Sequence, residues 1–301
     1  MTKYALCGMA IFCLLIAPLA LLSETKTETI EKSFTIDDSK PVFLEFKEED
    51  GDLKFSTWER SEVRVIVKKS AKEKSEQRAS ELLAKTKVEM TQTGNSIRVE
   101  IVYPKIRAVI FGFSDYPRVK IETEIMLPHK TNMTCRADDG FIQGENVEGD
   151  LSLRTDDGMI RVSRIHGSLS VKTEDGRIEC SDIMGSVEAS SDDGDIRISG
   201  QMDWLDIRTE DGDVQMKILP GSIMTRDWKI RTDDGDVELY APQDFAARIR
   251  IKTDDGDIDN EFPSAFSKIS SDKDITGQIN QGDSTIFIDT EDGNITLRTA
   301  K

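Results

Sequence analysis

The sequence predicts an all-β protein whose C-terminal half is a parallel β-solenoid of about 18 residues per coil. An acid-acid-glycine tripeptide occurs repeatedly, and its step is constant four times running between Gly140 and Gly212. Apolar and polar residues alternate between these tripeptides, which is the period of a half-buried strand. The tripeptide glycines are Gly51, Gly140, Gly158, Gly176, Gly194, Gly212, Gly235, Gly256 and Gly293. So many occurrences indicate an internal repeat.

Each repeat contains two short strands joined by the acidic turn. In residues 149–162, Leu151 and Leu153 alternate with polar residues before Asp156-Asp157-Gly158, and Ile160 and Val162 alternate after it. Glycine suits the turn because it adopts positive φ. Residues one repeat apart then form columns, as parallel in-register strands require. The columns are Leu153, Val171, Ala189 and Ile207; Ile160, Ile178, Ile196 and Val214; and the hydroxyl residues Thr155, Thr173, Ser191 and Thr209.

Two other β architectures fit the repeat less well. A βαβ sheet needs a long apolar helix between parallel strands, and the repeat contains none. An antiparallel meander would alternate in the same way, but it would not explain why the two turns of each unit differ. One turn is acidic, whereas the other has an apolar residue two positions before a glycine, as in Ile165-His166-Gly167. We therefore expect one solvated acidic edge and one partly buried edge.

The cysteines beyond the N-terminal segment are expected to be free. The repeat places Cys135 in the column of Leu153 and Cys180 in the column of Val162, on different strands. Two coils at about 4.8 Å each separate them by about 10 Å, which is too far for a disulfide. They are predicted to be separate buried thiols.

Residues 24–134 are predicted to form a β-rich section that covers the first coil. A capping box, Ser70-Ala71-Lys72-Glu73, predicts a helix from there to about Lys85, with Ala79, Leu82 and Leu83 on its buried side. Residues 112–117 are typical of a loop or flap. Strands are expected over residues 42–46, 53–57, 62–69, 88–91, 96–103 and 119–127.

Residues 1–23 are typical of a signal peptide. After Lys3 an uncharged segment rich in Leu, Ile and Ala runs to Ser23. Its length would also allow it to remain as an uncleaved membrane anchor. The expected organisation is a targeting segment at 1–23, the β-rich section with one helix at 24–134, and the solenoid at 135–301. The protein is accordingly expected to be exported, to the periplasm or the cell envelope.

The charge excludes some partners. The chain has a formal net charge of −17. Nucleic acids and anionic lipid surfaces are bound by basic faces, so neither is expected as a partner, and membrane contact is expected only through an uncleaved N-terminal segment. The partner is otherwise open, with a cell-surface protein or a polysaccharide as candidates. The acidity also permits a metal cation or simple solubility.

The repeats resemble the bacterial "putative adhesin" domains of unknown function, which repeat a Thr-x-x-Gly-Asp-Ile unit. Matching pieces are residues 191–196, 209–214, 232–237 and 253–258, and Leu127-Pro128 resembles the family's strand end before the repeats. The resemblance covers roughly residues 35–300. It implies an exported β-solenoid without assigned catalysis, and a role in adhesion. This chain departs from the pattern by placing Asp directly before the glycine, which makes it more acidic.

The acidic turns are the feature that could carry chemistry. One interpretation is local: the carboxylates accept backbone N–H groups in Asx-type turns, with Arg161, Arg177 and Arg197 as counter-charges. The other is Ca²⁺ held between adjacent turns, although the spacing matches neither calcium β-rolls nor EF-hands. The calcium candidates are Asp139, Asp157, Asp175, Asp193 and Asp211. No other cofactor is expected.

An enzyme is not expected, and no catalytic residue is assigned. A turn repeated almost identically along a stack is a scaffold element, whereas catalysis needs one site unlike the rest. His129 and His166 are far apart in sequence, and His166 is expected at the surface. The leading hypothesis is an exported structural or adhesin-like protein that presents an acidic surface. A Ca²⁺-stabilised binding solenoid and a polysaccharide-active β-helix enzyme are the alternatives.

Overall fold

The all-β class is confirmed, with one helix in the part of the chain described. The computed structural model describes residues 24–104, 119–262, 268–271 and 273–300. The helix is α1, Glu76–Lys85. The strands are β1 Glu24–Thr35, β2 Val42–Lys47, β3 Gly51–Trp58, β4 Glu62–Glu73, β5 Lys87–Thr93, β6 Ser96–Val102, β7 Val119–Pro128, β8 Thr131–Arg136, β9 Ile142–Glu145, β10 Leu151–Arg154, β11 Ile160–Ser163, β12 His166–Lys172, β13 Ile178–Ser190, β14 Ile196–Arg208, β15 Val214–Ile218, β16 Trp228–Arg231, β17 Val237–Ala241, β18 Ala247–Asp255, β19 Ile258–Asn260, β20 Lys268–Ser271, β21 Asp274–Ile279, β22 Thr285–Asp292 and β23 Ile295–Thr299.

The strands form two stacks, which we call the front stack and the back stack. The front stack runs β2, β8, β10, β12, the second halves of β13 and β14, then β16, β22 and β18. The back stack runs β3, β9, β11, the first halves of β13 and β14, then β15, β17, β23 and β19. All these pairings are parallel.

The register reproduces the columns of the sequence repeat. Leu153 pairs with Cys135 on one side and with Val171 on the other, and Ile178 pairs with both Ile160 and Ile196. Alternate residues of both stacks are buried in one continuous hydrophobic core. Ile160, Ile178 and Ile196 are fully buried there, each paired with the next.

The cysteine prediction is confirmed. Cys135 and Cys180 are free and buried, on the front and back stacks respectively. Burial raises the pKa of both thiols, to about 12 for Cys180. They therefore pack as small apolar residues.

The coil formed by the last two strands, β22 and β23, is not stacked in the order of the strands along the chain. The pair β22–β23 lies between β16–β17 and the earlier pair β18–β19. Beyond β18 the front stack continues through antiparallel β21 and β20. Trp228, which is fully buried, packs against Phe245 with ring centroids 5.7 Å apart. Trp228, Phe245 and Phe262 thus pack in the core at this end of the stacks, whereas Trp204 is only partly buried. Pro263 and Phe266 lie outside the described residues.

The N-terminal section extends both stacks in the other direction. β6 pairs with β2 and is followed by antiparallel β5, whereas β7 pairs with β3 and is followed by antiparallel β4 and β1. The β2–β3 coil pairs directly with β8–β9, so the hydrogen-bonded stacks begin at Val42. Strand β1 was not expected from the sequence, because only one of its residues, Phe34, is a buried apolar residue.

The predicted helix start was wrong. Residues 70–73 belong to β4, where Ser70 pairs with Thr27 of β1 and with Lys120 of β7. Because both neighbours use the backbone of this segment, it cannot form a helical turn. The helix begins after Ser75, whose hydroxyl accepts a hydrogen bond from the Arg78 N–H.

The buried side of the helix was predicted correctly. Ala79, Leu82 and Leu83 are its buried residues. The buried Lys69 ammonium donates to the carbonyls of Leu83 and Thr86 at 2.9 and 3.0 Å. A cation at this position satisfies carbonyls that a helix C-terminus leaves without partners.

Candidate functional site

The nine acidic turns form one continuous column, which we call the acid edge. Along the stacks its glycines follow the order Gly51, Gly140, Gly158, Gly176, Gly194, Gly212, Gly235, Gly293 and Gly256. At each step from Gly51 onward, a Cβ on the next glycine would collide with the carbonyl oxygen of the one before it. The last two positions are exchanged relative to sequence order because β22–β23 is inserted between earlier coils.

Close approach is the reason for glycine at the acid edge, and the expected positive φ is not. Gly140 has φ +134°, but the regular positions such as Gly158 and Gly176 do not lie in the left-handed region. A Cβ on Gly176 would overlap the carbonyl group of Gly158. The glycines of the opposite edge, Gly149 and Gly167, do have positive φ, at +151° and +138°.

Buried hydroxyls tie successive acidic turns together, as the third column predicted. Thr173 is fully buried and donates to the carbonyl oxygens of Asp156 and Gly158, at 3.1 and 3.2 Å. The backbone N–H groups of Glu174 and Asp175 also both bond to the Asp156 carbonyl. The same hydroxyl bonds recur at Ser191, Thr209, Thr232, Thr290 and Thr253.

The calcium candidates lie in one column, and their role in binding stays a prediction. The aspartates that precede successive glycines are stacked one per coil along the acid edge, namely Asp139, Asp157, Asp175, Asp193 and Asp211. Among the described residues, no group of three or more His, Cys, Asp or Glu side chains is arranged to hold a metal ion.

The expected counter-charges are placed elsewhere. Arg161 pairs with Glu179 at 2.7 Å, and Arg177 and Arg197 both pair with Asp195, at 3.1 and 3.2 Å. Glu179 lies on the outer face of the back stack, and Asp195 lies directly before strand β14. At the acid edge it is Arg154 that bridges Asp156 and Glu174, at 3.0 Å each.

A second ladder was missed by the sequence reasoning. The residue after the turn glycine accepts the backbone N–H of its counterpart on the next coil, as Asp213 does from Asp236 at 3.0 Å and Asp236 does from Asn294 at 2.7 Å. Asp195 and Asn294 act in the same way. The Gly-Asp pair of the repeat was the available signal, and it marks a structural hydrogen bond.

Glu48 occupies the hydroxyl position of the first coil. It lies three residues before Gly51, as Thr155 lies three before Gly158, and it is 1% exposed. Tyr103 donates to its Oε1 at 3.2 Å, whereas its Oε2 has no hydrogen-bond partner. Burial raises the pKa of Glu48 to about 8, so the carboxyl is largely protonated at neutral pH. A protonated carboxyl can donate a hydrogen bond, as the hydroxyls of the other coils do.

The outer face of the back stack carries an open groove of about 990 Å³, the back groove. Outward side chains of successive strands line it, and four of them are cationic. Its side chains include Arg161, Glu179, Ser181, Arg197, Ser199, Gln215, Lys217, Tyr240, Glu261 and Arg298.

The outer face of the front stack carries a second groove of about 770 Å³. Phe43, which is 51% exposed, lies on strand β2, and the half-buried Trp204 lies on strand β14. The guanidinium of Arg226 covers one side of the Trp204 ring, 3.8 Å from its centroid. Small polar side chains such as Ser168 and Ser186 line the space between them.

The histidines are not brought together. His129 Nε2 lies 3.1 Å from Glu59, and its Nδ1 lies 3.1 Å from the Thr57 hydroxyl. His166 is exposed, as predicted, and lies two coils away, since Lys130 pairs with Glu148 and Glu148 pairs with His166. The two imidazoles therefore form no common site.

The family comparison matches the model of Toastrack DUF4097 over residues 44–298. The chain belongs to this family. The resemblance inferred from the repeats is thereby confirmed, and the Toastrack DUF4097 match includes the acid edge from Gly51 to Gly293. A search of curated proteins found no match.

Several solved structures are similar to this Toastrack DUF4097 chain. A "putative cell adhesion protein" from Clostridium sporogenes ATCC 15579 is 12% identical, covering 91% of this chain and 100% of that one, with a TM-score of 0.29. A "putative adhesin" from Bacteroides fragilis NCTC 9343 is 9% identical, covering 91% and 97%, with a TM-score of 0.42. A "putative lipid binding protein" from Parabacteroides distasonis ATCC 8503 is 12% identical, covering 91% and 97%, with a TM-score of 0.37.

Within the described residues of this Toastrack DUF4097 chain, no helix has the length and apolar character needed to cross a bilayer. The segment 1–23, for which a signal or anchor is predicted, and the loop predicted at 112–117 lie outside those residues.

Proposed function

We propose that this protein is an exported, non-catalytic, adhesin-like β-solenoid that presents an acidic surface. In this proposal the paired strands form one parallel solenoid in which each regular coil is one repeat of the sequence. Residues 1–23 direct export to the periplasm or the cell envelope. The family match and the repeated strand pairing both support this arrangement.

The observation that carries the proposal is the acid edge. Nine turns of one composition follow each other along the whole length of the stacks. A group that recurs at every coil has a scaffolding role, whereas catalysis needs a group in surroundings unlike those of its neighbours. The outward side chains of both stacks form long open faces, a shape suited to extended ligands.

Binding can be tested with purified protein comprising residues 24–301. The labelled protein is incubated with intact cells of the producing organism and with its isolated surface polysaccharides. We expect saturable retention that unlabelled protein reverses. Retention no greater than that of an unrelated protein of similar net charge would refute an adhesive role, and release of new reducing ends would refute the non-catalytic one.

Export can be tested separately. Full-length protein and a variant lacking residues 2–23 are expressed in the producing organism, and the cells are fractionated. We expect the full-length protein in the periplasmic or envelope fraction and the shortened one in the cytosol. Recovery of both in the same fraction would remove the targeting role of the segment.

Calcium stabilisation is the second candidate, favoured by the stacking of Asp157, Asp175 and Asp193 one coil apart, at about 4.8 Å. Melting is followed after EDTA treatment and again after addition of Ca²⁺. A non-metal scaffold predicts the same midpoint in both conditions. A midpoint that EDTA lowers and Ca²⁺ restores would replace it with the calcium-stabilised solenoid.

A further inference from the structure

We propose that the back groove binds an acidic polysaccharide, with the carboxylates of two sugars held by Lys217 and Arg298 and an intervening sugar ring lying against Tyr240. This inference rests on the proposed function, because it names the ligand class of an adhesin-like surface. It is carried by the order of side chains across the back stack, by their unused hydrogen-bond donors, and by the local reversal of charge.

The order of side chains comes from the strand register. Lys217 of β15 pairs with Tyr240 of β17, and Tyr240 pairs with Arg298 of β23. Ser199 of β14 lies on the other side of Lys217. Because neighbouring strands are about 4.8 Å apart, the two cationic residues are about 10 Å apart along the stack, with the aromatic ring between them. An extended ligand crossing the strands meets a cation, a ring and a cation in turn.

The charge of the groove is opposite to that of the molecule. The whole chain has a net charge of −17, whereas the groove lining has four cationic side chains and two carboxylates. Glu238 lies beside the lining and is occupied by hydrogen bonds from Gln215 and Tyr240, at 2.9 Å each, which lower its pKa. The groove is therefore the part of this face where an anionic group is least disfavoured.

Lys217 and Arg298 keep donors for a ligand. Lys217 is exposed, and its ammonium has no ion pair or hydrogen bond within the described part of the chain. The Arg298 Nε is buried and lies 3.7 Å from the Glu261 carboxylate, and Nη1 donates to the Tyr240 hydroxyl at 3.4 Å. The side chain is 39% exposed, and its Nη2 has no hydrogen bond to a described residue, so it can donate a charge-assisted hydrogen bond to a ligand carboxylate. By contrast, Arg161 is already occupied by Glu179 at 2.7 Å.

Tyr240 is the aromatic residue of the groove lining. Its hydroxyl donates to Glu238 at 2.9 Å, and the Arg298 guanidinium lies 5.9 Å from its ring centroid. The ring is half-buried, so it is held in place while part of it stays accessible. Aromatic rings with a polar end suit ligands that have apolar and hydroxylated faces, as sugars do. The hydroxyls of Ser181 and Ser199 lie in the same groove and can bond to sugar hydroxyls.

The position of the groove favours a polysaccharide over an acidic peptide. An extended peptide gains most of its affinity by adding a strand to a free sheet edge. The groove instead lies on the face of β14, β15 and β17, where ladder hydrogen bonds already use the backbone on both sides. Recognition there depends on side chains, and those available offer cations, hydroxyls and one ring.

The acid edge does not prevent this binding at physiological ionic strength. Lys217 lies five residues beyond Gly212, which corresponds to about 16 Å along the strand. The Debye length is about 8 Å at 0.15 M salt, so the repulsion from the turns is largely screened. We expect binding at this ionic strength and its loss at about 1 M salt, where the cation–carboxylate contacts themselves are screened.

Calorimetric titration of residues 24–301 with polygalacturonate tests the proposal, with neutral dextran and polyglutamate as comparison probes. Lys217→Gln and Arg298→Gln should each weaken binding to polygalacturonate about tenfold, as expected for one charge-assisted contact. Tyr240→Ala should weaken it as well, whereas Tyr240→Phe should retain it. Lys229→Gln is the matched control, because Lys229 is also an exposed strand lysine but lies on the front stack. Circular dichroism checks that each variant folds.

Each outcome of the titrations either supports or overturns the proposal. Binding to polygalacturonate that the two groove variants weaken and the Lys229 variant leaves unchanged supports the proposal. Equal weakening by all three, or equally tight binding of polyglutamate or dextran, overturns the assigned class. Absence of polygalacturonate binding in protein that still adheres to cells overturns this inference alone. Loss of both overturns the adhesive function as well.

Discussion

The two edges of the stacks differ in how much variation they tolerate. At the acid edge, the paired core positions of the two stacks lie seven positions apart in all nine coils, as from Leu153 to Ile160 and from Ile288 to Ile295. At the opposite edge the connection ranges from none, within the continuous strands β13 and β14, to the whole of residues 59–130. All the length variation that breaks the regular step of the repeat is therefore located at one edge.

Hydrogen bonding and close packing explain the difference. The turn at Gly176 is fixed by the buried Thr173 hydroxyl, by two backbone bonds to the previous turn, and by a glycine that touches its neighbour, and the turns at Gly158, Gly194, Gly212, Gly235 and Gly293 repeat this arrangement. The opposite edge has the regular positive-φ positions Asn146, Arg164 and Asp182 in only three coils, and the register shifts after Cys180. The length of the acidic turn is constant because its residues bond to the turns on both sides of it. The length of the opposite connection varies because its residues lack such regular bonds.

We expect the largest difference in stability between the two edges when residues are inserted into them. Two residues, Gly-Ser, inserted between Asp175 and Gly176 would displace one turn from the column, and we expect the protein not to fold. The same insertion after Gly221, in the exposed loop between β15 and β16, should change the melting temperature little. Soluble yield and thermal melting compare the two, and similar behaviour of both variants would show that the edges are equivalent.

We expect Glu48 to make the stability of the first coil depend on pH. The coils with a hydroxyl at this position should not show this dependence. The folded-state pKa of Glu48, about 8, is above the ordinary value of 4.5, so the folded protein binds the proton more tightly than the unfolded chain. Stability should therefore fall as the pH rises from about 4.5 to 8 and level off above that, by an amount on the order of 5 kcal/mol.

Glu48→Gln should remove this slope, because an amide stays neutral and can still accept from Tyr103. Glu48→Thr restores the side chain of the interior coils and should do the same. Urea unfolding at pH 5, 7 and 9 measures the effect. If the wild type and Glu48→Gln follow the same pH dependence, the carboxyl is not the titrating group.

The glycine substitutions separate close approach from backbone conformation. Gly176→Ala places a Cβ against the Gly158 carbonyl and should cost at least about 3 kcal/mol, since backbone must move. Gly94→Ala, at φ +60° with open space around it, should cost about 1 kcal/mol. Chemical denaturation gives both values, and a larger loss at Gly94 would contradict the packing explanation.

The smallest expected effect concerns the hydroxyl ladder. Thr173→Val removes the bonds to the Asp156 and Gly158 carbonyls and keeps the side-chain volume, so it should destabilise by about 1–2 kcal/mol. Ser168→Ala removes an exposed hydroxyl near the start of β12, the strand that Thr173 follows, and should change the stability by less than about 0.5 kcal/mol. Equal losses would mean that the ladder adds nothing specific.

Much of the fold was predictable because the repeat consists of short sequence patterns, each of which indicates a strand or a turn. The pairing of Leu153 with Val171, the buried Thr173 and the separation of Cys135 from Cys180 all follow from the constant step of the repeat. The helix start was missed because Ser70 fits a helix cap and a strand equally well until its partners on β1 and β7 are known. Strand β1 was missed because its sequence is almost entirely polar.

The back groove could not be predicted in the same way. Lys217, Tyr240 and Arg298 each lie five residues after a turn glycine, but the repeat does not give the order in which their coils are stacked. Lys217 and Tyr240 become neighbours through the pairing of β15 with β17, whereas Tyr240 and Arg298 do so only because β22–β23 is inserted between β16–β17 and β18–β19. The sequence alone determined the all-β class, the nine turns and the in-register columns, because alternation and glycine spacing act over a few residues. Only the tertiary structure decided which coils are adjacent. Parallel strands pair where their buried side chains match, whatever the order of the strands along the chain.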